Sequence, residues 1–472
     1  MILQYIIFAI YMVLMFGIGI YFYLRTKSSA DFVLGGRTLG AFPSAISSVA
    51  SDFSGWLLMG LPAFAMSSGM GAFWISFGLL LGIFTNWQVV APKLRERSAE
   101  LGDAVTVPTF LERQLKDPTN FLRVVLSLAI LFFFAFYTAS GFVAGGKLFN
   151  VLFGVNYHVA VVIGAAIVLS YTFLGGYLAV SWTDVIQGLL MIAALIFIPV
   201  VAMNSLGGFE QTFAELKNLS PHHLDFFTNA SGEKITIISI LSLMAWGLGY
   251  FGQPHILVRM MGIKSVEKIG TARWIATIWS FMAMGLALLV GFIGVVYFNG
   301  QEMPDKEHVF ISMIKSLTNP FVGGLLLAAI MAAIMSTADS QLLVASSALT
   351  NDLVRDKISE RQSLMLGRFT VIIVALVAVF LAWDENSKVL DIVSYAWAGL
   401  GSAIGSVMLV SLIWSKTTYQ GGIAGVLTGA FVTVGWNKLS GGIFDLYELL
   451  PAFILAVVAV VIVSLVTQPR KA

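Results

Sequence analysis

The stretch ASDFSGWLLMG, residues 50–60, interrupts an apolar segment near residues 42–66 that would otherwise suit the middle of a membrane. It contains Asp52, two serines and Gly55. A carboxylate at the centre of a membrane helix costs about 2.5 to 3.5 kcal/mol on insertion scales, so such a group usually faces an aqueous cavity or a cation. Asp52 therefore indicates either a functional site or a fixed structural contact, for example with Ser48.

The composition excludes a soluble protein. Of the 472 residues, 58% are hydrophobic and 11% are charged, with a mean hydropathy of +0.89, whereas soluble domains carry about 25% charged residues. Apolar stretches of about 20 residues match the length of helices that cross a hydrocarbon core. The alternating apolar and polar segments of a β-barrel are absent from the sequence. The sequence thus predicts an all-α polytopic membrane protein. The absence of cysteine excludes disulfides and thiolate chemistry.

The span pattern predicts an N-terminus outside and a C-terminus inside. This orientation places 20 of the 27 basic residues in inner loops or the tail, as short cytoplasmic loops prefer. Arg25 and Lys27 follow the first span, the reverse of a cleaved signal peptide, and Arg259 is assigned to an inner loop. About thirteen spans are expected, near residues 4–24, 42–66, 70–91, 122–146, 157–178, 181–203, 236–258, 272–298, 321–349, 366–384, 389–414, 420–437 and 449–467.

A second interrupted helix corresponds to the first. The seventh predicted span contains WGLGYFGQP, residues 246–254, five spans after the stretch around Asp52. Because five is odd, a repeated five-span unit is inserted upside down the second time. Paired broken helices in inverted halves are the best sequence indication of a secondary transporter's central site. The alternative is that Gly and Pro are simply common in membrane helices.

The ninth span carries hydroxyls at a spacing that suits a small hard cation. Ser336 and Ser340 lie one turn apart, Thr337 is adjacent, and the carbonyl of Ala333 lies about one turn back. Hydroxyl and carbonyl oxygens can replace the water shell of such an ion. Alternatively, Ser336 and Thr337 only bond back to backbone carbonyls of their own helix. Asp339 either supplies charge to this site or faces the inner water.

A tight inner turn is expected at Gly175–Gly176, followed by a helix that carries Asp184 in its first turn. In that position Asp184 either complements the helix dipole or acts as a second cation ligand. The histidines show no metal-ligand spacing beyond the adjacent pair His222 and His223, so a metalloenzyme is not indicated.

These motifs resemble the sodium:solute symporter family over essentially the whole chain. The resemblance rests on residues 50–56, on Gly175–Gly176 through Trp182-Thr183-Asp184 and Gln187, and on Ser336-Thr337. Within the family the chain is most similar to sodium/proline symporters, chiefly through residues 246–255 and 136–141.

The resemblance implies one transporter domain, residues 1–472, with a LeuT-like inverted repeat of five helices. Spans two to six, about 42–203, would form the first repeat, and spans seven to eleven, about 236–414, the second. Spans 1, 12 and 13 would be peripheral. The implied activity is sodium-coupled import of proline by alternating access in the cell membrane, without enzymatic catalysis. Sodium, the solute and the lipid bilayer are the implied partners, with no nucleic acid and no obligate protein partner.

The resemblance also implies a set of site residues. The main sodium site would use the carbonyls of Ala50, Phe53 and Ala333 and the hydroxyls of Ser336 and Thr337, with Asp52 favouring sodium entry. A second cation site would involve Asp184 and Ser340, although this chain has Asp339 where several members have serine. The implied solute contacts are Ser54, Gly55, Tyr137, Trp246, Tyr250, Gln253 and Pro254.

Other functions remain as alternatives. The solute could be a different amino acid, a carboxylate or a sugar. A channel would conduct without saturable coupling, and the broken helices around a closed centre argue against it. A membrane sensor of a signalling enzyme would require a kinase module, which is not expected because the chain stops just after the last span.

Overall fold

The computed structural model describes residues 2–24, 33–172, 176–299, 303–354 and 359–468. Gly175 of the predicted inner turn lies outside these residues, as do the basic residues Arg25, Lys27, Arg355, Lys357, Arg470 and Lys471. Within the described ranges the chain is helical, with isolated β-bridges at Leu39–Ile263 and Thr228–Lys234. The all-α prediction is confirmed.

The N-terminal half consists of long apolar helices joined by short amphipathic ones. In chain order they are α1 (Ile2–Tyr23), α2 (Ala41–Ala50), α3 (Leu61–Ser68), α4 (Phe73–Thr85), α5 (Ala91–Glu100), α6 (Val107–Gln114), α7 (Phe121–Phe153), α8 (Tyr157–Thr172), α9 (Tyr177–Ser205) and α10 (Phe209–Leu219).

The C-terminal half has the same character. Its helices are α11 (Ile237–Ala245), α12 (Pro254–Met261), α13 (Ile269–Tyr297), α14 (Val309–Leu317), α15 (Pro320–Ser347), α16 (Glu360–Leu381), α17 (Val389–Leu400), α18 (Ser406–Ile413), α19 (Tyr419–Trp436) and α20 (Leu449–Thr467). Proline stands in the first turn of α12 and α15, where its missing N–H costs no helical hydrogen bond.

Seven helical stretches of the described residues are long and apolar enough to cross a membrane, and shorter apolar helices lie between them. Each predicted span overlaps one or more of the helices above. The number of crossings and the sides of the two termini stay predictions.

Both interruptions predicted from the sequence are present. Helix α2 ends at Ala50, and the chain turns through residues 51–54 before a π-helical segment, Trp56–Gly60, leads into α3. The second interruption follows α11, as a 3-10 segment, Trp246–Gly252, and an extended Gln253 before α12. Broken helices therefore occupy corresponding places in the two halves.

Two positional predictions are wrong. Asp184 does not lie in the first turn of its helix, because Gly176 is extended and α9 begins at Tyr177. The Asp184 carboxylate is therefore about two turns inside the helix, beyond the reach of the helix N-terminus. Arg259 does not lie in an inner loop: it belongs to α12 and its side chain is fully buried. An acidic partner inside the bundle makes this burial tolerable.

Helix packing places the first interruption at the centre of the molecule. Helix α2 packs against α9 and α13 and also contacts α15, which itself packs against α7 and α9. The second interruption packs against α4, α17 and the π-helical segment Gly401–Gly405. The centre is therefore enclosed by α2, α7, α9, α15 and α17.

Candidate functional site

The break after α2 leaves backbone oxygens available for a ligand. Among the described residues, no backbone N–H hydrogen-bonds to the carbonyl of Ala50 or Phe53. Both residues are fully buried. Buried carbonyls that receive no backbone hydrogen bond need another partner, and a cation is one that they can bind.

Helix α15 brings hydroxyls to this break. The Ser336 hydroxyl lies 2.8 Å from the carbonyl oxygen of Ala50 and 3.0 Å from that of Ala333. The adjacent Thr337 hydroxyl is buried and has no hydrogen-bond partner in the described part of the chain. The structure thus brings together Ala50, Ala333 and Ser336, with Thr337 beside them. Phe53 lies on the same break.

The Asp52 carboxylate is held by tyrosines rather than by Ser48. The Tyr250 hydroxyl donates a short hydrogen bond to one carboxylate oxygen, and the Tyr137 hydroxyl lies 3.4 Å from the other. Asp52 is 1% exposed. Two side chains predicted to contact the solute therefore bind the acid that was predicted to favour sodium.

The second interruption contributes an aromatic wall. Trp246 stacks on Tyr447 with ring centroids 5.3 Å apart, and its backbone carbonyl accepts a hydrogen bond from Trp397 at 2.8 Å. The Tyr250 ring meets Trp397 edge to face at 4.9 Å. The wall thus packs directly against the tyrosine that binds Asp52.

The remaining predicted solute residues occupy the two breaks. The Gln253 amide nitrogen lies 3.3 Å from the carbonyls of Gly249 and Trp397, and its side-chain oxygen is buried without a partner in the described residues. Pro254 begins α12. Ser54 is buried, and a side-chain carbon at Gly55 would come within 2.4 Å of the Ala144 side chain.

Sequence reasoning missed Trp397 and Tyr447. Trp397 lies on α17 and Tyr447 just before α20, and both are far from the two breaks in sequence. Trp397 carries a detectable signal, since its indole lies in an apolar helix next to Gly399 and Gly401. Small residues such as these glycines let membrane helices approach each other closely. Tyr447 has no comparable signal.

A buried ionic cluster lies beside the cation site. The Arg259 guanidinium is 3.1 Å from the Asp184 carboxylate and 2.6 Å from the Ser340 hydroxyl. Ser47 donates to Asp184 at 2.7 Å and accepts from Arg259 at 3.1 Å. Arg259 and Asp184 are both fully buried. Asp184 and Ser340, predicted as a second cation site, are therefore brought together around a protein cation.

Sequence reasoning also missed the role of Arg259. The sequence did carry a signal for this role. Arg259 follows Pro254 by little more than one turn in an apolar helix, and a charged residue in such a helix usually faces the interior of the bundle. Asp339, the residue that distinguishes the predicted second site, is fully buried. It does not face the inner water in this conformation.

The whole centre is closed in this conformation. Asp52, Tyr137, Tyr250 and Trp246 are each 6% exposed or less. The carbonyl of Ala50 contacts the Ser336 hydroxyl, and the Asp52 carboxylate contacts the hydroxyls of Tyr137 and Tyr250. Such a centre combines oxygen groups that suit a small cation with aromatic rings.

Comparison with known proteins agrees with this arrangement. The chain is 44% identical to the high-affinity proline transporter PutP of Bacillus subtilis, over 96% of this chain and 95% of the relative. It is 43% identical to the sodium/proline symporter of Escherichia coli, over 98% and 93%. A substrate-bound, outward-open sialic acid symporter coupled to Na⁺ has the same fold, with a TM-score of 0.82, 18% identity and 99% of each chain covered.

Those relatives share nearly their full length with this chain, and the structural match extends over both interrupted helices. The family model for the sodium:solute symporter family matches residues 32–429. These residues include both breaks, the hydroxyls of α15 and the ionic cluster around Arg259. The chain is a multi-pass membrane protein that belongs to the sodium:solute symporter family.

Proposed function

We propose that this protein imports proline together with sodium by alternating access. The observation that carries the proposal is the hydrogen bond from Ser336 on α15 to the carbonyl of Ala50, which no backbone N–H of the described residues reaches, near an aromatic enclosure around Tyr250. The named relatives over nearly the full chain are proline transporters, which supports proline as the solute.

The sodium ion binds between α2 and α15. Its proposed ligands are the carbonyls of Ala50, Phe53 and Ala333 and the hydroxyls of Ser336 and Thr337. The unpartnered hydroxyl of Thr337 supports this assignment, because a buried polar group without a partner is costly unless a ligand satisfies it. Asp52 supplies the negative charge that attracts the ion toward the break.

Proline binds on the other side of the same break. The carboxylate of the zwitterion is placed at the backbone N–H groups after Ser54 and Gly55, where the helix restarts, because helix N-termini favour anions. The rings of Tyr137, Trp246 and Tyr250 receive the pyrrolidine ring and the ammonium group. Gln253 and Pro254 complete the pocket at the second break, and the partner-free amide oxygen of Gln253 is an available acceptor.

Asp52 links the two ligands. In the closed structure its carboxylate accepts hydrogen bonds from Tyr137 and Tyr250. When sodium arrives, the ion competes for this charge and frees the tyrosines to contact the solute. Each ligand therefore increases the affinity for the other, as thermodynamic linkage requires.

Arg259 takes the place of a second sodium ion. Its guanidinium already neutralises Asp184 and contacts the hydroxyl of Ser340. A sodium ion between Asp184 and Ser340 would have to displace the Arg259 guanidinium, which is covalently part of the protein. One sodium ion per proline is therefore proposed for this protein.

The coupling energy is sufficient for accumulation. A tenfold sodium gradient yields about 1.4 kcal/mol per ion, and a charge that crosses 100 mV yields about 2.3 kcal/mol. Together these energies support several-hundred-fold accumulation of a zwitterion without net charge.

The direct test is uptake of labelled proline into proteoliposomes with and without an inward sodium gradient. Sodium-dependent accumulation above the equilibrium level is expected, and unlabelled proline but not other amino acids, carboxylates or sugars should abolish it. Uptake of proline that does not respond to sodium would refute the coupling, and sodium-driven uptake of another solute only would refute the assignment of proline.

A further inference from the structure

A small chamber lies beyond the ionic cluster, on the side predicted to face the cytoplasm. Its wall is mostly apolar, but Thr106, Ser347 and Asp352 also line it. The chamber has room for about one water molecule or one bare sodium ion.

The chamber adjoins the groups around Arg259. Tyr177 and Val258 both line it, the Tyr177 hydroxyl donates to the carbonyl of Val258 at 3.2 Å, and the Arg259 guanidinium lies 5.6 Å from the centre of the Tyr177 ring. Ser347 follows Ser340 by two turns of α15, roughly 10 Å along the axis. The helix that carries the proposed sodium ligands therefore leads directly to the chamber.

Asp352 is the charged group of the chamber. It lies in the π-helical segment Ala348–Val354 that continues α15, and its side chain is fully buried. One carboxylate oxygen accepts from Thr106 at 2.6 Å and Thr109 at 2.7 Å. The other oxygen is buried with no partner in the described part of the chain.

No cationic side chain of the described residues forms an ion pair with Asp352. Among the described residues, Arg123 and Glu112 are the charged groups that act on Asp352, and they pair with each other at 3.1 Å. Their charges are opposite, so they act on Asp352 in opposite directions. A buried carboxylate with a free oxygen, beside a hydroxyl and a cavity of ionic size, has the features of a cation site.

We propose that Asp352 and Ser347 form an inner site that receives the sodium ion on its way to the cytoplasm. The ion leaves the carbonyl and hydroxyl site of α15, passes the cluster around Arg259 and binds the free oxygen of Asp352. This inference rests on the proposed sodium-coupled function and adds a second binding site for the same ion on its path to the cytoplasm.

The first test measures sodium on the inner side. Asp352→Asn keeps an oxygen that can accept from Thr106 and Thr109 but removes the charge. In proteoliposomes, sodium loaded inside inhibits proline uptake, and the variant should require about tenfold more inner sodium for half-inhibition, which corresponds to about 1.4 kcal/mol. The outer sodium concentration for half-maximal uptake should not change.

Thr109→Val is the matched control. It removes one hydrogen bond to Asp352 and keeps the carboxylate, so its inner sodium dependence should match that of the wild type. An unchanged inner dependence in Asp352→Asn would overturn the proposal. If Thr109→Val also needed more inner sodium for half-inhibition, the proposal would be overturned as well. Both variants would then act by loosening the hydrogen bond between Asp352 and α6, and not by removing a cation ligand.

The second test does not depend on proline. The chain contains no cysteine, so Ala348→Cys places a single thiol in the chamber wall. In a Thr337→Ala background, which weakens the main site, sodium should slow labelling by a permeant thiol reagent several-fold relative to choline at equal ionic strength. Adding Asp352→Asn should abolish this difference.

Equal labelling rates in sodium and choline, with Asp352 present, would contradict the inner site. If sodium still slowed labelling after Asp352→Asn, the protection would not depend on Asp352, and this result would also contradict the inner site. If the wild type does not transport proline with sodium, the proposed function fails, and the labelling experiment still decides on the inner site.

Discussion

Thr337 offers the most direct test of the sodium site at the scale of one residue. Its hydroxyl is buried without a partner in the described structure, so removing it should affect ion binding more than folding. Thr337→Ala is expected to raise the sodium concentration for half-maximal proline uptake about tenfold, because a bond to a charged group is worth about 1.5 to 3 kcal/mol. Initial uptake rates over a series of sodium concentrations measure this change.

Ser346→Ala is a suitable control for that variant, because its hydroxyl lies on the same helix near Gly367 rather than at the break after α2. Its sodium dependence should match that of the wild type. If Thr337→Ala behaves like this control, α15 does not supply the proposed hydroxyl ligand.

Arg259 tests the proposed stoichiometry. Arg259→Gln leaves the Asp184 carboxylate buried without its cation, and breaking such a pair costs about 3 to 5 kcal/mol. A second sodium ion can offset part of this cost. The wild type should therefore show a Hill coefficient near one for sodium, and the variant a coefficient that approaches two.

The double variant Arg259→Gln/Asp184→Asn removes both charges and should return the Hill coefficient to the wild-type value. It should also recover part of the thermal stability that the single variant loses. A single variant with unchanged sodium cooperativity would show that Arg259 does not replace an ion.

At the scale of elements, close backbone contacts hold the second interruption in place. A side-chain carbon at Gly252 would lie 2.2 Å from the carbonyl oxygen of Leu400 and 2.6 Å from the nitrogen of Gly405. Backbone atoms cannot yield as a flexible side chain can. The glycines of the broken helix therefore allow it to approach α17 and the π-helical segment that follows.

Gly252→Ala should separate these segments and sharply reduce proline uptake, with a loss of about 1 to 3 kcal/mol of stability as for other overpacked sites. Gly285→Ala on α13 is the matched control, since nothing lies within 4 Å of the added carbon. Uptake and melting temperature of the purified variants measure both effects. Normal uptake by Gly252→Ala would show that the close approach is not needed.

The outer connection between α10 and α11 provides a pH-dependent element. The carbonyl of His223 accepts a hydrogen bond from the Met70 N–H at 2.7 Å, and burial lowers the pKa of the His223 imidazole to about 4. Between about pH 6.5 and 4 the unfolded state therefore binds more protons than the folded state. The stability of the fold that depends on a neutral His223 is therefore complete above about pH 6.5 and is lost as the pH falls toward 4.

His223→Gln should reduce the fall in melting temperature over this pH range, whereas the exposed neighbour variant His222→Gln should keep the wild-type slope. Melting curves of the three proteins between pH 7 and 4 measure the difference. Equal slopes for wild type and His223→Gln would exclude His223 as the group that titrates.

At the scale of the whole molecule, transport of one sodium ion with a zwitterion moves one net charge. An inside-negative potential of about 100 mV should raise the proline accumulation ratio about fiftyfold, which corresponds to about 2.3 kcal/mol per charge. Potassium gradients with valinomycin impose the potential in proteoliposomes. Accumulation that ignores the potential would require a compensating charge movement and would refute the proposed coupling.

Much of the architecture could be predicted because hydropathy and helix-breaking residues act locally. The apolar segments, the break at Asp52 and the break at Trp246 depend on residues that are neighbours in the sequence. The predicted start of this helix, near residue 181, is wrong because Gly176 is extended and α9 begins at Tyr177. A glycine pair alone does not specify where the next helix begins.

The sequence by itself determined the membrane class, the paired broken helices, the hydroxyls of α15 and the family resemblance. Only the tertiary structure decided that Arg259 pairs with Asp184, that Trp397 and Tyr447 support Trp246, and that Asp352 faces a small chamber. The reason is that apolar lipid gives helices no hydrophobic preference for one another. Small residues and polar groups then select which faces meet, and that choice depends on every neighbouring helix at once.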